Sequence, residues 1–140
     1  MVRRIISIGL LGLSMNMAHA DSAPPHYVST HPDQAYEQKI TQKQASVERF
    51  FQQFIRLRSL LEEDRAEVQD DNIADEAHYW VCVRIQQLHT LFQNNTAYQS
   101  AFNQHFKDMD FNTMMGYWHS DMQSHREICY QSEKSYSDRP

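Results

Sequence analysis

The chain has 140 residues, of which 41% are apolar, and its 18 acids outnumber 13 bases for a formal charge of −5. Such a length makes one domain, because two would leave neither with a core. An acidic surface repels phosphate backbones, which are bound by clustered Lys and Arg, so nucleic acid is excluded as a natural partner.

Arg3 and Arg4, an apolar run from Ile5 to Leu13, and Ala18, His19 and Ala20 ahead of Asp21 have the three-part layout of a secretory signal. Residues 1–20 are therefore expected to be removed, with cleavage after Ala20. The apolar run is well short of the ~20 residues that span a bilayer, and no later stretch comes near that length. Residue 21 is Asp and not Cys, so lipid attachment after cleavage has no acceptor. The expected product is a soluble protein exported across a bacterial inner membrane, periplasmic or secreted. Loss of Arg3 and Arg4 takes its formal charge from −5 to −7.

Residues 21–31, with Pro24-Pro25 and no apolar periodicity, read as a flexible leader. Of the three glycines only Gly116 lies beyond the signal, and the prolines fall outside the periodic segments. That leaves helices as the default, in a single domain over residues 32–135 with a mobile tail at 136–140. A first helix is predicted from near Pro32, capped by Ser29 or Thr30. Tyr36, Ile40, Val47, Phe50, Phe51, Phe54, Leu57 and Leu61 share a stripe about 120° wide on it. From Glu62 to Glu76 eight acids face one base, Arg65, and their repulsion predicts fraying or a turn.

Asp71 or Asn72 caps a second helix whose apolar face carries Ile73, Ala77, Trp80, Val81, Ile85, Leu88, Leu91 and Phe92. Arg84 interrupts that face and requires a carboxylate partner or a path to water. Asn94, Asn95 and Thr96 predict a turn and a cap before a short third helix with Tyr98, Ala101, Phe102 and Phe106. Asp110 or Asn112 opens a fourth, on which Phe111, Met114, Met115, Trp118, Met122, His125 and Cys129 share a stripe. The predicted fold is all-α, a small four-helix bundle tied by one disulfide. In an oxidising compartment the two cysteines, Cys82 and Cys129, are expected to pair and to join helix two to helix four.

Each cysteine follows a histidine by four residues, as His78 with Cys82 and His125 with Cys129. Two such pairs would supply a Cys2His2 zinc set, but only if the thiols stayed reduced. Met115, His119, Met122 and His125 are spaced by four, three and three, and thioether with imidazole suits Cu(I) or Ag(I). His119-x-x-Met122 and Met122-x-x-His125 resemble the short Met and His motifs of periplasmic silver- and copper-binding proteins. The same methionines also fit as core filler beside Phe111 and Trp118. No G-x-S-x-G elbow or glycine-rich phosphate loop occurs. His119 with Asp121, or His78 with Asp75 and Glu76, are the only acid–base pairings found, and the reading is of a protein that is not an enzyme and needs no cofactor.

Binding is the expectation that remains. In size, location and make-up the chain is similar to inhibitors of cationic lysozymes and to immunity proteins that neutralise toxins. Asp70, Asp71, Asp75 and Glu76 are then the candidate contacts for a cationic protein partner. The alternative is a periplasmic soft-metal protein using the cluster on the last helix. The long first helix also offers a face for pairing with a second copy of the chain.

Overall fold

A computed structural model describes residues 39–70 and 74–138. The signal, the leader, the helix start near Pro32, Asp71, Asn72, Ile73 and the last two residues lie outside them. All regular structure among the described residues is helical.

Lys39 to Thr41 are helical, and the chain then leaves the helix before α1, Val47–Glu67. The single helix expected from Pro32 to Leu61 is therefore divided. Ser46 explains where α1 begins: its backbone is extended, and its hydroxyl accepts the Arg49 N–H at 3.3 Å as an N-cap. Asn95, 1% exposed, explains how the break is satisfied. Its Oδ1 accepts the Gln44 N–H at 2.7 Å, and its Nδ2 donates to the Gln42 and Leu91 carbonyls. The Asn94 amide and the Tyr98 hydroxyl donate to the Thr41 and Gln44 carbonyls. Backbone groups freed by the break thus find partners 50 residues or so along the chain, as buried polar groups must.

The crowded acids do not stop α1 at Glu62. It runs to Glu67, and the turn comes at Val68 to Asp70. α2, Ala74–Asn94, is the central element and is buried on two sides. Val81, Ile85, Leu88 and Phe92 belong to the main core with Phe50, Phe54, Leu57 and Leu61 of α1. Tyr79, Cys82 and Val83 are also buried. After a 3-10 turn, Thr96–Tyr98, the short α3 spans Gln99–His105 and buries Phe102 completely.

Asp110 caps α4, Phe111–Ser124, by accepting the Thr113 N–H at 2.9 Å. The fourth predicted helix is also divided. His125 ends α4, its Nδ1 lying 2.9 Å from the Asp121 carbonyl oxygen, and α5 then runs Arg126–Ser137. Tyr136, placed by sequence in a mobile tail, is helical and stacks on Tyr79 at 4.2 Å.

Phe50 beside Phe92 and Asp64 beside Arg84 make α1 and α2 antiparallel. Phe92 with Phe111, Cys82 with Cys129 and Tyr79 with Tyr136 make α4 and α5 one broken rod antiparallel to α2. The four-rod bundle expected from sequence is, among the described residues, three antiparallel rods with α3 packed on the aromatic end. The Cys82–Cys129 disulfide is present, with its Cα atoms 5.6 Å apart. No helix of the described residues is long and apolar enough to cross a membrane.

Candidate functional site

The described acids between Glu62 and Glu76 have different surroundings. Asp64 turns inward and pairs with Arg84 at 3.3 Å, both side chains being about 15% exposed. Arg84 also donates to Gln87 Oε1 at 3.2 Å and lies 5.0 Å over the Trp80 ring. The interruption in the apolar face is thus resolved by a carboxylate partner and an aromatic face. Burial raises the Asp64 carboxyl above its ordinary range, and the Arg84 charge opposes that rise.

Glu62 and Glu63 are exposed on α1, beside a groove of about 440 Å³ formed by Ile55, Arg58, Ser59 and Phe106. Asp70 is exposed in the turn after α1, and Glu76 is half-buried. Asp75 stands apart. It lies exposed in the first turn of α2 and lines a second groove, of about 360 Å³, with His78, Glu127, Ile128, Gln131, Ser132 and Ser135. The helix positions explain the grouping: Asp75 and His78 are one turn apart on α2, and the disulfide one turn further on holds α5 alongside.

In α5, Glu127 sits in the first turn, where the helix dipole favours a carboxylate, and accepts the Gln131 amide at 3.1 Å. Ile128 beside it is 45% exposed, one of the few large apolar side chains of the described residues in that state. The Ser132 hydroxyl is turned back onto the Ile128 carbonyl at 2.8 Å. The groove therefore presents two carboxylates around an exposed aliphatic surface. A lining of this kind matches the chemistry of a Lys or Arg side chain, which has an apolar stem and a charged head.

The four residues of the predicted Met and His set have different surroundings. Met115 and Met122 pack against the core, with Met109 and Met114. His125 is held by Asp121, through the carbonyl at 2.9 Å and the carboxylate at 3.0 Å. Asp121 also pairs with Arg65 at 2.9 Å. His119 itself is exposed and meets His89 of α2, their ring centres 5.4 Å apart and their planes 39° from parallel. Burial, and then the neighbouring His119, push the His89 imidazole below its ordinary range.

The Cys2His2 zinc set fails for a chemical reason: Cys82 and Cys129 are bonded to each other and offer no thiolate. Among the described residues, no three His, Cys, Asp or Glu side chains converge as a metal cluster. Glu127, Ile128 and His89 escaped the sequence reading because each acquires its neighbours from another helix. Only the pairing of Cys82 with Cys129 could have pointed to the first two, by fixing which turn of α5 lies against His78. Comparison with protein families, with curated proteins and with solved structures finds no match for the chain.

Proposed function

We propose that the chain is an exported helical binding protein that holds a cationic protein partner, in the manner of an inhibitor or an immunity protein. The observation that carries this reading is the α2–α5 groove, where Asp75 and Glu127 flank the exposed Ile128. An apolar anchor with a charged rim is the usual build of a protein-contact surface. The excess of acids in the whole chain adds long-range steering toward a basic partner. Asp70, exposed in the turn before α2, adds to the acidic charge of the chain.

The test is titration of the disulfide-bonded chain against a panel of basic proteins, a cationic lysozyme first, at several ionic strengths. A complex that weakens as salt rises is expected. Asp75→Asn combined with Glu127→Gln should weaken it by roughly two- to thirtyfold, two exposed ion pairs being worth about 0.2–1 kcal/mol each. Unchanged affinity in that double variant, or no complex with any basic protein, overturns the reading.

A further inference from the structure

We infer that His89 and His119 form an open two-histidine site for an imidazole-preferring transition-metal ion, with Zn(II) the best geometric match. His89 is half-buried on α2 and His119 exposed on α4, and their ring centres lie 5.4 Å apart. A zinc–nitrogen bond is about 2.0–2.1 Å and the ring centre lies about 1.2 Å beyond the nitrogen, so each ring centre stands about 3.2 Å from a shared ion. A separation of 5.4 Å then corresponds to a nitrogen–metal–nitrogen angle of about 115° when the nitrogens converge. That is close to tetrahedral, which zinc accepts, and away from the right angles of tetragonal Cu(II).

The side chains around the pair select against a soft ion. Met115 and Met122, which would have supplied thioether sulfur from the same helix as His119, pack against the core. Nitrogen ligands remain, and imidazole is a ligand that zinc favours. Water can complete the coordination on the exposed side, where His119 is free of the core and Gly116, one turn earlier, has nothing within 4 Å of where a Cβ would stand. An ion held there would join α2 to α4, much as the disulfide joins α2 to α5.

The experiment titrates Zn(II) chloride into the disulfide-bonded chain by calorimetry, and follows the histidine ring protons by NMR. One ion is expected to bind in the micromolar range and to shift the His89 and His119 signals together. His119→Gln removes a ligand at an exposed position, so its fold without metal should be unchanged by circular dichroism. Outer-shell changes at metal sites already cost about 10–100-fold in affinity, and loss of a ligand should cost no less. His125→Gln, at the C-cap of α4 more than a turn beyond His119 and held by Asp121, should bind as the parent does. Zinc that fails to bind, that binds equally after His119→Gln, or that shifts only other histidines overturns the site.

Discussion

At one end of α2, Phe92 is surrounded by the rings of Phe111 at 4.6 Å, Trp118 at 4.8 Å, Phe102 at 5.2 Å, Phe50 at 5.3 Å and Phe54 at 5.5 Å. At the other end, Cys82 is bonded to Cys129, Tyr79 stacks on Tyr136, and the buried company includes Ser132 and Glu133. The first end is held by apolar volume. The second has little of it, and covalent and polar ties take its place. The difference follows from the sequence: the acids that begin at Glu62 leave the last turn of α1 and the first of α2 few apolar side chains to bury. A charged end must be stabilised by something other than a core, and here the disulfide supplies it.

The largest effect expected is at the aromatic end. Phe92→Ala leaves a cavity among five rings and should cost about 5 kcal/mol, the upper end for buried phenylalanine. Urea unfolding followed by tryptophan fluorescence measures it. A loss below about 2 kcal/mol would mean that the surrounding rings collapse into the space, and the contrast between the two ends would lose its basis.

Next comes the covalent end. The disulfide spans a sequence separation of 47 residues, for which the chain-entropy model gives about 4 kcal/mol. Cys82→Ser with Cys129→Ser should therefore lower stability by about that amount. The pattern is more telling than the sum. Hydrogen exchange should speed up first in α5 and the N-terminal half of α2, while amides of α1 and α4 beside Phe92 keep their protection. Uniform loss of protection across all helices would show that the two ends unfold as one unit.

The aromatic end was also the more legible in the sequence. Phe50, Phe54, Leu57 and Leu61 were placed on one face by a 3.6-residue period, and each is buried. The breaks before α1 and before α5 were not legible. Ser46 lies within a stripe that tolerates an occasional polar residue, and the Asn95 side chain that satisfies the break is 51 residues from Gln44. His125 continues the apolar phase of α4, so nothing local marks it as an end. At the break its Nδ1 lies against the Asp121 carbonyl, which also accepts its backbone N–H. The groove was half legible. Asp75 belonged to an obvious acidic run, but Glu127 and Ile128 join it only through the register between α2 and α5. His89 and His119 meet for the same reason, since periodicity assigns residues to faces and leaves open which faces touch.

The smallest effect expected separates stability from binding. Gly116 sits inside α4, where glycine costs about 1 kcal/mol relative to alanine. It has no positive φ, and a Cβ there would meet nothing within 4 Å, so neither backbone nor packing requires it. Gly116→Ala should therefore raise stability by about 1 kcal/mol in urea unfolding. A fall instead would mean that the α4 backbone is under a constraint its conformation does not reveal. The binding assay then sharpens the comparison between the two ends, because Gly116 lies beside Tyr117, 50% exposed on the aromatic side of the molecule. Affinity for basic proteins that is unchanged in the more stable variant keeps the contact at the α2–α5 groove. Weaker affinity despite higher stability would place it on α4, where the absence of a side chain lets a partner approach the helix closely.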